Sequence, residues 1–378
     1  MVFDRTDRRN VGNIHINTMG VVTIDWSPNY TRGMPMKDLI AAEFKESAHV
    51  IESIDPDMVV KIADVLTDVI KNGNKVIFMG NGGSSADAQH IAAEFTGKYL
   101  FDRPPMSAIS LSAIAPMSAI GNDYSFDLVF KRQVLAHAKK GDAVIGLSTS
   151  GNSKNVIEAF HAAKDIGAIT ISWTGPHGRM KEIADYALTI PSHATPRIQE
   201  GYFVAGHAIC GLVERNMFGR KAVFIDRDDT VAKDVPYCDD PSKFVVFDYV
   251  PESIKRLNDA GYLVIMVTNQ SGVARNKFSE KTLSDIHEKM ERDVAKKKGK
   301  IDDIFVCTHH PDDGCSCRKP DIGMGIAAIS KHKINTKQSF MIGNSDADME
   351  FGKRIGCESI KVNEKFTFKD AVDKILNA

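Results

Sequence analysis

The feature that most constrains this chain is a repeated order of segments: an apolar run, a small or acidic polar turn, and an amphipathic helix. The runs are KVIFMG, SAISLSAI, DAVIGLST and AITISWT in the first half, and KAVFID, YLVIMVTNQ, DIFVCT and SFMIGNSD after Gly219. Strands that alternate with helices in this way form parallel sheets covered on both faces. The sequence therefore predicts an α/β fold with two doubly wound parallel-sheet domains.

The length and the restart of this pattern predict two domains, over residues 36–219 and 220–378. A chain of 378 residues exceeds what one hydrophobic core usually organises. Residues 1–35 carry short β-rich pieces, NIHIN and GVVTIDW, which are broken by Asn, Gly and Pro. We interpret this segment as an extension, and the sequence does not indicate its role.

The composition is that of an ordinary globular protein and argues against two classes of partner. A net charge of -1 provides no basic field for nucleic acid, and the lysines at 295–300 are interpreted as a solvated helix end. No apolar run is long enough to span a bilayer, and the first ten residues lack the apolar core of a signal peptide. We therefore expect a cytoplasmic protein without nucleic-acid or membrane partners.

Two Gly/Ser-rich turns in the first half have the form of phosphate-binding loops. NGGSS at 81–85 follows the run KVIFMG, TSGNS at 149–153 follows the run DAVIGLS, and each turn opens a helix. Small residues let backbone N–H groups approach an anion, and the helix N-terminus adds partial positive charge. One such turn is commonly only a tight connection, but two in one sheet favour a phosphate ligand.

A histidine and a glutamate after the first loop are candidates for metal binding or acid–base catalysis. His90 and Glu94 are four residues apart, so they share one helical face near the loop. Gln199 and His207 are eight apart and share one face of a later helix. Alone, a His/Glu pair at this spacing is commonly a surface pair; its position beside the phosphate-type loops favours a functional site.

Four segments together resemble the sedoheptulose 7-phosphate isomerases of the sugar isomerase domain (SIS) family: GNGGSSADAQHIAAEFTGKY, GND at 121–123, LSTSGNS, and RIQE with its following His. The resemblance covers roughly residues 36–217 and implies a flavodoxin-like fold and a homotetramer with shared sites. The zinc ligands it implies are His90, Glu94, Gln199 and His207. The substrate-binding residues it implies are Asn81, Ser84, Asn122, Asp123, Ser148, Ser150, Ser153 and Gln199.

The resemblance also assigns Glu94 and His207 as the acid/base pair. Converting a ketose to an aldose moves a proton between C1 and C2 through an enediol, which requires a base, an acid and a polarised carbonyl. SIS domains that bind other proteins without catalysis have similar loops. The presence of both Glu94 and His207 favours the isomerase.

In the second half, two acids leave the strand VFI two residues apart, where both can face one magnesium ion and one phosphoryl group. Asp226 can attack phosphorus, and Asp228 can protonate the leaving oxygen and later activate water. An isolated Asp-x-Asp is common in surface loops, but further polar residues follow the later strands in order. These are the phosphate donors Thr268, Asn269 and Gln270, the cation Lys319, and Asn344 in the polar segment after the strand SFMI.

This order resembles the haloacid dehalogenase (HAD) phosphatase superfamily over residues 221 to about 365 and implies a Rossmann-like fold with bound Mg²⁺. Two departures stand out. Asp229 replaces the usual Gly of DRDGT, and Asp adopts left-handed backbone conformations more readily than most residues. Asn344 replaces an Asp magnesium ligand, and it keeps an oxygen but loses a charge, so we expect weaker magnesium binding.

Three cysteines and a histidine near the third strand form a candidate structural zinc site: Cys307, His309, Cys315 and Cys317. Three thiolates and one imidazole make a closed tetrahedral set, although fortuitous cysteines are the alternative. The other cysteines are scattered, which suits a reducing compartment. Zinc there would fix the loop that carries Arg318 and Lys319.

This zinc loop resembles those of two HAD classes, the heptose 1,7-bisphosphate 7-phosphatases and the histidinol-phosphate phosphatases. VTNQSGVARNKF favours the former, with Arg275, Lys277 and Arg318 as contacts to a second phosphate, whereas the short segment between His309 and Cys315 suits the latter. Both halves would then serve heptose synthesis, with a separate heptose kinase acting between them. A scaffold in which one or both halves have lost catalysis is the remaining alternative, and Asn344 favours it more for the second half than for the first.

Overall fold

The computed structural model describes residues 14–16, 22–24 and 35–377. The chain forms two compact units, the first ending at Met217 and the second beginning at Phe218. Most of the predicted extension over residues 1–35 lies outside the described residues. Within it, strands β1 (Ile14–Ile16) and β2 (Val22–Ile24) pair antiparallel.

The first unit is built on five parallel strands in the order β4-β3-β5-β6-β7. Their bounds are β3 Val76–Gly80, β4 Ala108–Ser110, β5 Ala143–Ser148, β6 Ile169–Thr174 and β7 Tyr186–Thr189. Its helices are α1 Met36–Glu52, α2 Pro56–Lys71, α3 Gly83–Thr96, α4 Ile114–Asp123, α5 Val129–His137, α6 Lys154–Ile166, α7 Met180–Ile183 and α8 Thr195–Phe218. The apolar run SAISLSAI is divided, because it forms β4 and then enters α4.

The second unit is also built on five parallel strands, in the order β10-β9-β8-β11-β12. Their bounds are β8 Ala222–Ile225, β9 Leu263–Asn269, β10 Asp303–Cys307, β11 Phe340–Gly343 and β12 Glu358–Lys361. Its helices are α9 Val250–Asp259, α10 Glu280–Ala295, α11 Gly323–His332, α12 Asp346–Arg354 and α13 Phe368–Leu376. The predicted pair of parallel-sheet domains is confirmed.

Each sheet is buried by helices on both faces. All residues of β3 and β5 are buried, as are all four of β8, which explains why these strands are continuous apolar runs rather than alternating ones. Among the described helices, none combines the length and apolarity required to cross a bilayer.

The strand order fixes where a ligand can bind. In the first unit the chain leaves β3 for β4 on one side and then for β5 on the other. In the second unit it leaves β8 for β9 on one side and later places β11 on the other. Ligands in open α/β sheets bind at such reversal points, beyond the carboxyl ends of the strands. The loops after β3, β5, β8 and β11 are therefore the candidate sites.

Candidate active sites

Helices α3 and α8 bring together two histidines and a glutamate. His90 Nε2 lies 3.1 Å from His207 Nε2 and 3.2 Å from Glu94 Oε1, and one ligand atom from each residue lies within 4.8 Å of the others. With metal–ligand bonds of about 2.0–2.1 Å, tetrahedral zinc separates its N and O ligands by about 3.4 Å. The three side chains fit three of the ligand positions of a zinc ion.

Gln199, the predicted fourth zinc ligand, lies on α8, and its side chain contacts the first turn of α3. Its Nε2 donates to Asp87 Oδ2 at 2.9 Å, and a Cβ on Gly83 would come within 2.5 Å of that nitrogen. Burial raises the pKa of Asp87, against the hydrogen bond from Gln199 and the nearby His90. Ligation of zinc by Gln199 stays a prediction, and Asp87 is a site residue that the sequence analysis missed, although it lies one turn before His90.

The two phosphate-type loops adjoin. Ser148 Oγ lies 2.8 Å from Ser153 Oγ and 3.4 Å from Ser150 Oγ, which clusters three hydroxyls at the N-terminus of α6. Asn81 in the first loop and Asn155 in α6 exchange two amide hydrogen bonds, each of 2.9 Å. Hydroxyl and backbone N–H donors from both loops therefore face the same reversal point of the sheet.

Three other predicted substrate residues are placed differently. Ser84 is buried, with its Oγ 3.4 Å from the hydroxyl of Tyr202. Asn122 and Asp123 are exposed at the end of α4, where Asn122 Nδ2 donates to Asp123 Oδ1 at 2.9 Å. Hydrogen bonds among the described residues do not link Asn122 or Asp123 to the loops, so their substrate contacts stay predictions.

In the second unit a buried lysine holds the first acid. Lys319 is 5% exposed, and its Nζ donates to Asp226 Oδ1 and Asp348 Oδ1, each at 2.6 Å. Burial raises the pKa of Asp226 to about 6, against the attraction of Lys319. Although burial opposes its charged form, the two carboxylates raise the pKa of Lys319. Asp348, which lies on α12, is a further site residue to which the sequence pattern assigned no role.

The second acid is held by an arginine and a glutamine. Arg227 donates to both oxygens of Asp228, at 2.9 and 3.1 Å, and Gln270 Nε2 donates to Asp228 Oδ2 at 2.8 Å. His287 Nε2 lies 3.5 Å from Nη1 of Arg227. Burial and the charge of Arg227 lower the pKa of His287 to about 4. Arg227 and His287 were not predicted as site residues, although Arg227 stands between the two acids.

The predicted phosphate donors are partly engaged with the protein itself. Asn269 Nδ2 donates to the carbonyl of Lys319 at 3.1 Å, and the amide N–H of Lys319 donates back to Asn269 Oδ1 at 3.0 Å. Gln270 Nε2 also donates to Thr268 Oγ1, at 2.9 Å. In this structure the side chains of Asn269 and Gln270 orient Lys319 and Asp228, so their phosphate contacts stay predictions.

Asn344 follows β11 and is half-buried, and the two acids that follow it in the chain, Asp346 and Asp348, are paired with other residues. Asp348 accepts from the backbone and hydroxyl of Ser345 at 3.0 and 2.7 Å as well as from Lys319, and Asp346 is paired with Lys361 at 2.6 Å. Asp229 adopts the left-handed conformation that its position requires, with φ of 51°.

The four predicted structural zinc ligands meet at the end of β10. The S–S distances are 3.6 Å from Cys307 to Cys315 and 3.5 Å from Cys315 to Cys317; the S–N distances from Cys307 and Cys317 to His309 Nδ1 are 3.7 and 3.2 Å. Tetrahedral zinc, with Zn–S bonds of about 2.3 Å, separates such ligands by about 3.8 and 3.5 Å. The set fits zinc.

The residues predicted to meet a second phosphate lie on two loops. Arg275 and Lys277 are exposed after β9. Arg318 follows the cysteine cluster, and its Nη1 is buried without a hydrogen-bond partner among the described residues. A buried guanidinium nitrogen without an acceptor favours an anionic ligand.

Comparisons with known proteins divide the chain in the same way. Residues 41–175 match the family model described as SIS domain, and residues 221–370 match the one described as Polynucleotide kinase 3 phosphatase. The phosphoheptose isomerase of Aneurinibacillus thermoaerophilus is 43% identical over 197 residues, which are 50% of this chain and 100% of that protein.

Two solved structures are similar to the two units. Phosphoheptose isomerase from Neisseria gonorrhoeae is 38% identical with a TM-score of 0.45, over 48% of this chain and 99% of that one. D,D-heptose 1,7-bisphosphate phosphatase from B. bronchiseptica, complexed with magnesium and phosphate, is 30% identical with a TM-score of 0.39, over 42% of this chain and 98% of that one.

Proposed function

This chain belongs to the phosphoheptose isomerase family through its first unit, and we propose that this unit interconverts sedoheptulose 7-phosphate and D-glycero-D-manno-heptose 7-phosphate. The observation that carries the proposal is the cluster of His90, Glu94 and His207 beside two phosphate-type loops. The loops would hold the 7-phosphate by backbone N–H groups and hydroxyls. The sugar's C1 and C2 would then lie near the cluster.

The reaction needs one group that moves a carbon-bound proton and a second group that exchanges a proton with the carbonyl and hydroxyl oxygens. The Glu94 carboxylate takes the proton from C1 and returns it to C2, while His207 exchanges a proton with the carbonyl and hydroxyl oxygens of the enediol. A zinc ion held by His90, Glu94, His207 and Gln199 would polarise the carbonyl. Tyr99 and Phe203 flank the ring of His207 and limit its rotation.

The test is Glu94→Gln in the full chain. The matched control is Glu158→Gln, because Glu158 on α6 pairs with Lys131 on α5, outside the cluster of His90, Glu94 and His207. We expect Glu94→Gln to lower kcat by about 10²–10⁴-fold, with conversion of ketose to aldose followed by NMR. Glu158→Gln should stay within about twofold of wild type, since partly exposed ion pairs contribute little. Equal rates for wild type and Glu94→Gln would refute the proposal.

For the second unit we propose magnesium-dependent hydrolysis of a phosphomonoester. The proposed substrate is D-glycero-D-manno-heptose 1,7-bisphosphate, from which the 7-phosphate is removed. The observation that carries it is the pair Asp226 and Asp228 at the end of the central strand β8, each held by a buried cation. The hard oxygens of Asp226, Asp228 and Asn344 fit Mg²⁺, which would neutralise phosphoryl charge.

In the reaction, Asp226 attacks phosphorus and forms an aspartyl phosphate while Asp228 gives its proton to the departing sugar oxygen. Asp228 then takes a proton from water, which attacks phosphorus, releases inorganic phosphate and restores the Asp226 carboxylate. Lys319 holds Asp226 and offsets phosphoryl charge. Arg227 and Gln270 fix Asp228 for both proton transfers.

The second phosphate distinguishes the two candidate substrates. Heptose bisphosphate offers an anion to Arg275, Lys277 and the unpartnered nitrogen of Arg318, whereas histidinol phosphate carries a single phosphate. Phosphate release should therefore be compared for both bisphosphate anomers and histidinol phosphate, in wild type and Asp226→Asn. Equal rates for these two proteins would refute hydrolysis and leave the scaffold role that Asn344 favours.

The two proposed reactions are not consecutive. The isomerase product carries a phosphate on C7 alone, and the phosphatase substrate also carries one on C1. A separate heptose kinase would have to act between them. We further propose that the chain is cytoplasmic and forms a homotetramer through its first unit, as the family resemblance implies; sedimentation of the purified chain tests the latter.

A further inference from the structure

We propose that the buried ion pair of Arg103 and Glu214 is a positioning device for the acid/base pair of the first unit. The pair acts on Glu94 through its backbone and on His207 through the ring of Tyr99. Its side chains are 1% and 0% exposed, and Arg103 Nε donates to Glu214 Oε1 at 3.1 Å. The inference rests on the proposed isomerase function and adds residues that do not touch the substrate.

Arg103 ties together the end of α3. Its guanidinium donates to the carbonyls of Glu94 and Phe95, each at 2.7 Å, and of Gly97 at 2.8 Å. The last carbonyls of a helix have no partners within the helix, and a cation there is also favoured by the helix dipole. Arg103 therefore fixes the turn from which the Glu94 side chain projects.

Glu214 ties the following loop to α8. Its two oxygens accept from the backbone N–H of Tyr99 at 3.0 Å and of Leu100 at 2.8 Å. Glu214 stands seven residues after His207 on α8, about two helical turns away on the same face. The loop after α3 is thus attached to the helix that carries the proposed acid.

Tyr99 connects the attached loop to the ring of His207, on which it stacks. Its ring lies parallel to that of His207, at an interplanar angle of 4° with centroids 5.3 Å apart. Phe203 contacts His207 edge-on with centroids 4.6 Å apart. Held between two rings, His207 keeps the orientation in which its Nε2 faces His90.

A second ion pair in the same unit, Lys75 with the buried Asp142, lies away from the site. Asp142 is fully buried and accepts from the side chain and backbone of Lys75 and from the backbone of Lys139. Lys75 and Asp142 precede β3 and β5, so they lie at the amino ends of the strands, opposite the site. The pair is a matched control for loss of a buried charge.

The experiment uses the full chain with Glu214→Gln, Tyr99→Leu, Tyr99→Phe and the control Asp142→Asn. The measurements are kcat and KM for sedoheptulose 7-phosphate, the thermal midpoint, and the zinc affinity of the first unit from competition with a chelator. Residues that orient metal ligands typically affect affinity or activity by about 10–100-fold. We expect losses of this size in kcat and zinc affinity for Glu214→Gln and Tyr99→Leu, with KM within about threefold.

The controls separate positioning from stability. Tyr99→Phe keeps the stacked ring and should stay within about twofold of wild type, whereas Asp142→Asn should lower the thermal midpoint and leave kcat and zinc affinity unchanged. A folded Glu214→Gln protein with wild-type kcat and zinc affinity, or equal losses in Asp142→Asn, would overturn the inference. An inactive wild type would refute the isomerase proposal alone, because the zinc affinities would still test the positioning.

Discussion

Asn344→Asp should lower the magnesium concentration that gives half-maximal phosphatase activity. The substitution adds one carboxylate at the end of β11, beside the central strand β8 that ends before Asp226. Neither Asp346 nor Asp348 supplies that charge, because the former is paired with Lys361 and the latter with Lys319. A substitution at Asn344 thus changes the total charge of the proposed magnesium ligands by one.

The charges around the site set the size of the effect. Three carboxylates, Asp226, Asp228 and Asp348, face two cations, Arg227 and Lys319, which leaves a net charge of -1 that the substitution makes -2. A divalent ion gains about 8 kcal/mol from a unit charge 4 Å away at an effective dielectric constant of about 20. Dehydration and loss of the amide oxygen offset most of this; a remainder of about 1.5–3 kcal/mol corresponds to about 10–100-fold in affinity.

The assay is release of inorganic phosphate from heptose bisphosphate across a magnesium titration at neutral pH. Asp346→Asn is the matched control, since it changes charge by one in the same loop at a side chain that is 96% exposed. We expect its half-maximal magnesium concentration to stay within about twofold of wild type, because exposed charges are screened. An unchanged midpoint in Asn344→Asp, or an equal shift in the control, would refute ligation at this position.

Further predictions concern protonation and zinc. Burial raises the pKa of Asp226 from 3.8 to about 6, so its contribution of about 3 kcal/mol to metal-free stability is present below pH 4 and is lost as the pH rises through 6. Burial lowers the pKa of His287 from 6.5 to about 4, so its contribution is present above pH 6.5 and is lost as the pH falls through 4. Amide hydrogen exchange in the full chain should show opposite changes in pH dependence for Asp226→Asn and His287→Gln, and changes of the same sign would contradict this. Cys315→Ser should remove one tightly bound zinc per chain by metal analysis and lower phosphatase activity, with isomerase activity unchanged; full zinc retention would count against the cluster.

The interior strands could be predicted from the sequence, whereas two of the four edge strands, β7 and β12, could not. β5 is buried along its whole length, so its sequence is one continuous apolar run. β7 and β12 lie at sheet edges and read YALT and ESIK, with only part of each strand buried. These two edge strands lack such a run, because part of each faces solvent, and their sequences are therefore not distinct from that of a loop.

Residues that follow strand ends could be predicted, but their distant partners could not. Asp226 and Asp228 are recognised from the strand before them. Arg103 and Glu214 are 111 residues apart, and Arg227 and His287 are 60 apart, so no local pattern predicts the pairing. Burial requires each of these polar groups to find a partner, but only the tertiary structure determines which one.

A buried carboxylate can have a structural role or a catalytic one. The two roles differ in how many of its oxygens accept hydrogen bonds from the protein. Glu214 accepts hydrogen bonds on both oxygens, from Arg103 and from two backbone N–H groups. Asp226 accepts from Lys319 on Oδ1, and within the described part of the chain no hydrogen bond reaches its Oδ2. A cation on one oxygen stabilises the charge in a dry site, while the other oxygen stays open to a metal and to phosphorus. The same buried pairing thus makes Glu214 a fixed support and leaves Asp226 able to react.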